Sequence, residues 1–450
     1  MPQAPPEIRA AKEPLTTNEF RRALEQGLGR AILCLKNHDP TPYKEIILET
    51  CLKDTRYDQQ SEGSRVPYLM EAIDLCHDEN FFRDAILEAH PATPSEVPDY
   101  ADTWLEEQFT DFALAFAKRG NEKARDLLYD SFAANPEYSE KFALGRAEAI
   151  TKLDGLIGLT FVLEQYAKVA SEILEYYPSS WFKKLLAKRY TEEVIEQHVK
   201  ELCEANPAVQ SFVDRFDAQI EVQIPKINKK PTATYAQFQL MLQQRSDYPG
   251  GIRFWGKRAT KTMFKRVARE LLQQTDPELI RGYLYAFCYR EFPFSFKHLL
   301  RLVVHEQQDV RLHSVIALHN FQNSQVRELA LELIEDAHLR SVAVGLFELN
   351  YLPGDAEKIV AVLQKISDPD EIHSVGYCVR DVYKENRVSE ALEPLILQYE
   401  FNLCSQCREF TLDLLKDLEI LPDWMLEEAQ WDSYSDTRET VQAWLTPKTP

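Results

Sequence analysis

Residues 294–334 read FSFKHLLRLVVHEQQDVRLHSVIALHNFQNSQVRELALELI. Apolar residues recur there at helical spacing, in three runs separated by only a few polar residues. Asp309-Val310-Arg311 is followed by Val315, Ile316 and Phe321. A similar step recurs at Val326-Arg327 with Ala330, Leu333 and Ile334, and again at Leu339-Arg340 with Ala343, Val344 and Phe347. Short amphipathic helices with so little between them cannot each bury an apolar face alone. Stacking on their neighbours solves that problem, so the pattern predicts an α-solenoid.

The same style of helix extends in both directions. Thr17, as an N-cap, opens a helix with Phe20, Leu24, Leu28, Ile32 and Leu35 on one face. Thr41-Pro42 starts the next, and further helical patterns run through 68–89, 103–134, 145–168 and 179–216. Residues 219–251 differ: β-branched residues, prolines and a Pro-Gly-Gly end read as an irregular insertion or bridge. The expected organisation is a disordered tail over 1–15, an N-terminal helical lobe over 16–218, the bridge, and a C-terminal helical lobe over 252–445. The predicted fold class is all-α, built of antiparallel helix pairs in two lobes.

Within the second lobe, Arg311, Arg340, His373 and Arg408 each follow an apolar residue early in a helix, at spacings of 29, 33 and 35 residues. Together with Asp309-Val310-Arg311 and the later Ala317 and Leu318, this period resembles the HEAT-repeat family, most clearly over 295–350. The resemblance implies an α-solenoid that binds an extended partner on a concave surface.

Composition narrows the classes of function. The chain has 450 residues, 44% of them hydrophobic, which is enough for a substantial core. Only 14 residues are glycine, which argues against a sheet with many tight turns and against a glycine-rich nucleotide loop. The net charge of −20 means that any polyanion must be met by a local basic patch, not by the average field. No apolar run reaches the length of a membrane span, and the first 20 residues have no signal-peptide character. The eight cysteines are scattered singly except for one pair, so no disulfide framework is expected and a cytoplasmic location is the default. No Walker A, GxSxG, kinase or GxGxxG motif occurs; Gly27-Leu28-Gly29 lies in a helix pattern with no preceding strand. No cofactor and no metal site is expected.

The most unusual segment is 252–269, IRFWGKRATKTMFKRVAR. It carries Arg253, Lys257, Arg258, Lys261, Lys265, Arg266 and Arg269 and no acid. From Lys257 onwards the bases occupy one half of a helical wheel, and Met263, Phe264, Val267 and Leu271 the other. The bases suit phosphates, while Phe254 and Trp255 could stack on a nucleobase. The competing reading packs this face against the chain's own acids, such as the nine acids and two bases of 413–439.

Three further constellations are weaker. Cys404-Ser-Gln-Cys407 has zinc or redox spacing, but no second pair accompanies it; His373 and Cys378 are distant possible ligands, and helical core is the simpler role. His298, His305, His313 and His319 lack the HExxH spacing of a zinc helix. Finally, HEAT-like DNA glycosylases use an Asp with tryptophans and bases in a groove. Here Trp104, Gln108 and Asp111 share one helix, Trp181 and Lys184 another, with Asp154-Gly155 and the loop Glu62-Gly63-Ser64-Arg65 nearby in pattern. An excision enzyme would need a carboxylate beside the flipped base, and Asp111 and Asp154 are the candidates. The sequence thus leads to a non-enzymatic scaffold that uses a concave surface for a macromolecular partner, a protein or DNA; the alternative is a DNA-binding HEAT-like protein of the base-excising glycosylase kind.

Overall fold

A computed structural model of the chain describes residues 12–90, 100–134, 144–168, 180–214, 233–244 and 250–446. Every regular element among them is helical. The segment 294–334 folds as the helices Lys297–Leu302, Gln308–Leu318 and Ser324–Leu333. Residues Lys229–Leu426 form one compact unit; Glu7–Asn228 and Glu427–Pro450 together form a second. The final helix, Ser435–Leu445, therefore belongs with the N-terminal unit, although the sequence pattern joined it to the second lobe.

Three contacts hold that return of the chain. The Arg30 guanidinium donates to both carboxylate oxygens of Glu428, at 3.0 and 2.9 Å, and Lys36 Nζ lies 3.2 Å from the centre of the Trp431 ring. Gly27, with φ 74°, closes the helix Thr17–Gln26 in the left-handed conformation, which a side chain would strain. Its carbonyl accepts the Ser433 N–H at 2.9 Å. The Gly27-Leu28-Gly29 run is thus a helix cap leading directly into the helix Gly29–Asn37. The expected tail over 1–15 falls mostly outside the described residues, but Leu15 is buried and its carbonyl accepts the Tyr43 hydroxyl.

Part of 219–251 also lies outside the described residues. The described part contains the helix Tyr235–Gln243, a correction to the irregular bridge expected there. Its cause is local: Thr234 and Gln237 make a reciprocal capping box that satisfies the first free backbone donors despite the flanking prolines.

In the unit Lys229–Leu426 each helix packs on the next, or the next but one. Pro277–Leu284 meets Gln308–Leu318, which meets Arg340–Gly345, which meets Pro369–Asn386, which meets Ser405–Asp417. Asparagines near helix ends clamp successive turns of this series. Asn320 Nδ2 donates to the carbonyls of Phe287 and Cys288, at 3.2 and 3.3 Å. Asn350 Nδ2 donates to Phe321 and Leu346, each at 2.9 Å, and Asn386 Nδ2 donates to Glu348 at 2.9 Å. Ion pairs step across in the same way: Arg281 to Asp309 at 3.0 Å, Arg327 to the fully buried Asp355, and Arg340 to Glu371 at 3.3 Å.

Candidate functional site

The basic segment is not one helix. Ala259 and Thr260 break it into Gly250–Arg258 and Lys261–Leu271, and the Thr260 hydroxyl accepts the Met263 N–H to cap the second helix. Each helix buries one face. Ile252, Trp255 and Gly256 are buried on the first, and Phe264, Val267, Ala268 and Leu271 on the second. Gly256 permits a close approach, because a Cβ there would lie 2.0 Å from the Ala286 carbonyl oxygen. Arg290 ties the elbow from below, donating to the carbonyls of Gly256 and Ala259 at 3.0 and 2.7 Å.

This anchoring separates the two aromatics that the sequence offered for stacking. Trp255 is 1% exposed, lies 4.7 Å from the Phe238 ring centre, and donates its indole N–H to the Thr234 carbonyl at 2.7 Å. It is a core residue, which removes it from the candidate contact surface. Phe254, one position earlier, points the other way and is 58% exposed.

The cations are mostly outward. Lys257, Arg258, Lys261, Arg266 and Arg269 are exposed; Arg253 and Lys265 are half-buried. Arg266 pairs with Glu270 of its own helix at 3.1 Å and stacks on Tyr235 at 3.5 Å. Among the described residues the other six make no ion pair. Arg253 lies over Tyr285, Lys257 over the half-exposed Tyr289, and Arg269 over Phe294, at 5.4, 5.6 and 5.8 Å. The surface is therefore cationic with aromatic rings between the charges, which suits phosphates and flat rings.

The candidate carboxylates lie in the other unit. Asp154 accepts from Arg125 at 2.7 Å and from the Tyr129 hydroxyl, so it holds two helices together. Asp111 is half-buried beside Ser64, Lys152 and Arg56; burial raises its pKa, partly offset by a hydrogen bond from Ser64 and by those two cations. The fold thus brings the Glu62–Arg65 loop to Asp111, as an acid-plus-base grouping requires. Trp104 is drawn in through Arg56, which lies 6.0 Å from its ring and donates to its carbonyl at 3.5 Å. Gln108 is spent on the carbonyls of Cys51 and Lys53, each at 3.0 Å. Lys184 is exposed, and the side chain of Trp181 lies outside the described residues.

Three of the four histidines of 298–319 serve separate local roles. Buried His313 has its Nδ1 2.7 Å from the Asp309 carbonyl, His305 Nδ1 accepts the Gln307 N–H at 3.0 Å, and half-buried His319 donates Nε2–H to the Val342 carbonyl at 2.7 Å.

A different group does converge. Cys404 and Cys407 are both buried, and His373 from the preceding long helix reaches them, with Nδ1 at 3.7 Å from the Cys407 sulfur. The three ligand atoms all lie within 4.8 Å of one another. Cys404 occupies the N-cap of Ser405–Asp417, and Cys407 the third helical position. The hydrogen bond from Cys404, then Arg380 and the Tyr377 hydroxyl, hold the Cys407 thiol down to about 7 against its burial. The Cys404 thiol is pushed up, first by its hydrogen bond to Cys407, while His373 is raised chiefly by its hydrogen bond to Cys404. Cys378 does not join; burial pushes it up to about 12. The CxxC spacing was visible in the sequence, but the approach of a histidine 31 residues upstream depends on packing of the two helices.

No protein-family model matches the sequence, and no curated protein and no solved structure matches it.

Proposed function

We propose that the chain is a cytoplasmic helical-repeat binding protein of HEAT-like, α-solenoid architecture. It acts as a scaffold whose basic elbow, 250–271, grips a nucleic acid by its phosphates. One observation carries this reading: six of the seven cations of 252–269 have no acid partner among the described residues, although acids outnumber bases in the chain by 72 to 52. In such a chain, surface lysines and arginines find carboxylates easily. A basic face that remains unneutralised is suited to an external anion. Exposed Phe254 and half-exposed Tyr289 add flat apolar surface for bases. The next-neighbour packing of the helices and the asparagine clamps at Asn320, Asn350 and Asn386 support the repeat architecture. Eight free cysteines support a reducing compartment. No observation favours base excision: Asp154 is engaged in a helix-to-helix pair.

Fluorescence anisotropy of a labelled single-stranded oligonucleotide, titrated at several salt concentrations, tests the proposal. The wild type binds in low salt. Lys257→Glu/Lys261→Glu/Lys265→Glu binds at least about tenfold more weakly, and the slope of log K against log salt falls by about one per lysine removed. Absence of binding at low salt, or equal binding by the triple variant, overturns the nucleic-acid reading. Selective retention of an acidic polypeptide by the wild type alone would redirect the same surface to a protein partner.

A further inference from the structure

We propose that His373, Cys404 and Cys407 form a site for a single zinc-class metal ion, with a fourth position left for solvent beside Tyr377. The site lies apart in sequence from the basic elbow and does not depend on the binding proposed for it.

The donor set has the right chemistry. Two thiolates and an imidazole suit Zn2+ and other borderline-soft ions and exclude Mg2+ and Ca2+, which take oxygen ligands. The geometry agrees. Around a tetrahedral zinc with Zn–S near 2.3 Å and Zn–N near 2.0 Å, a sulfur and a nitrogen ligand sit about 3.5 Å apart. Here the Cys407 sulfur and His373 Nδ1 are 3.7 Å apart, and all three donors lie within 4.8 Å of one another. Ordinary core packing brings two thiols of one helix face together. It does not account for an imidazole from a second helix turning its nitrogen onto them.

The surroundings also fit. Asn402 Oδ1 accepts the Cys404 N–H at 3.1 Å, fixing the backbone that carries the first sulfur. Arg408, fully buried, donates to the carbonyls of Asn402 and Leu403, at 3.4 and 3.2 Å, and so braces the loop entering the helix. Bracing of this kind behind the ligands orients them before the ion arrives. Arg380 is held between the rings of Tyr377 and Phe410, at 4.7 and 5.0 Å, and its Nη1 is buried with no hydrogen-bond partner among the described residues. A guanidinium beside Cys407 can donate to a metal-bound thiolate, so two thiolates, a dication and Arg380 leave only one positive charge at the site. Tyr377, on the same helix as His373 and one turn on, is 46% exposed, so the fourth position is next to solvent. Three protein ligands are the number found in sites that keep an exchangeable position, whereas closed structural sites use four.

The full-length chain, purified with a thiol reductant and stripped of metal, is titrated with Co2+ and then Zn2+. The expected result is about one equivalent of cobalt with thiolate-to-cobalt charge-transfer absorption, abolished by Zn2+. Cys404→Ser and Cys407→Ser lose the absorption, and His373→Gln weakens binding by roughly tenfold or more. Because Cys404 and Cys407 are buried, a folding-neutral measurement accompanies the variants. In the wild type, Zn2+ slows alkylation of these two cysteines, read by mass spectrometry, and leaves half-buried Cys288 unchanged. The proposal is overturned if the reduced chain shows no charge-transfer absorption, if that absorption survives in the double cysteine variant, or if Zn2+ gives no protection. A Cys404–Cys407 disulfide that forms readily while the reduced chain takes up no metal also overturns it, in favour of a redox pair.

Discussion

Two clusters of arginine and lysine in this chain are built on opposite terms. In the unit Glu7–Asn228, Arg56 and Arg65 are almost wholly enclosed, with side-chain exposures of 4% and 2%, and each lies against an equally enclosed acid, Asp54 or Glu62, at 2.6 and 2.9 Å. Glu62 also accepts the N–H groups of Tyr57 and Asp58, at 2.9 and 2.8 Å, and Arg65 donates to the Thr55 and Glu25 carbonyls. At the elbow 250–271 the cations are mostly in water, and among the described residues only Arg266 has an acid. Burial makes pairing obligatory, because an unpaired buried charge costs several kcal/mol. Exposure makes pairing optional. The first cluster is therefore explained by the fold and the second is not.

The elbow is in fact slightly adverse to its own helix. Lys261, Lys265 and Arg269 stand at i, i+4 and i+8, giving two like-charge neighbours worth about 0.2–0.5 kcal/mol of destabilisation each. Lys261 also sits at the helix N-terminus, where the dipole favours an acid. A sequence that tolerates such local penalties has another use for the charge.

The sharpest break in the comparison is Arg65→Ala. It strands Glu62 in the interior and is expected to cost about 3–5 kcal/mol in urea unfolding of the full chain. A loss below about 1 kcal/mol would mean that water reaches Glu62 and that the two clusters are not different in kind. Next in size is Asn350→Ala. Asn350 accepts the Asn323 N–H at 2.8 Å and donates to two carbonyls, so the variant leaves buried backbone groups unmet. The expected cost is about 1–3 kcal/mol, from a neutral side chain in the unit that carries the elbow. That result would show the unit to be held by amide clamps and apolar packing while its basic face stands outside the account.

Much of this was legible in the sequence, for reasons that particular residues make plain. The three helices of 294–334 follow from apolar spacing, which encodes burial directly. The outward bases of 257–269 follow from the same wheel. What failed was longer in range or finer in grain. Phe254 and Trp255 are adjacent and chemically alike, yet one faces water and the other the Phe238 ring, because the helix starts at Gly250 and turns Ile252, Trp255 and Gly256 inward. The helix Tyr235–Gln243 was hidden by prolines, although Thr234 and Gln237 spell its capping box. His373 reached Cys407 through tertiary packing that no local pattern encodes. The asparagine clamps were missed because asparagine reads as a turn residue, while here its amide bridges two helix pairs.

A histidine that must remain neutral gives a third and smaller contrast. Half-buried His319 donates to the Val342 carbonyl; desolvation of its ring pushes its pKa down to about 4 from 6.5. Between those values the unfolded chain binds a proton that the folded chain refuses, so stability falls as pH falls through the window from 6.5 to about 4. Thermal unfolding of wild type and His319→Gln across that range should show the difference between them change with pH, by up to one proton, and be flat above pH 7.

The smallest expected change is the most diagnostic. Lys261→Glu puts an acid at the N-terminus of Lys261–Leu271, four residues before Lys265. By the dipole and by the new Glu–Lys pair, the fold should gain about 0.3–1 kcal/mol. The same substitution should weaken oligonucleotide binding and lower its salt slope by about one or more. Arg65→Ala should instead lower stability and affect binding only through unfolding. Opposite signs for stability and binding at Lys261 are what a surface charge kept for a partner produces. If Lys261→Glu destabilises the chain, Lys261 has an acid to lose, and the elbow joins Arg56 and Arg65 as part of the fold.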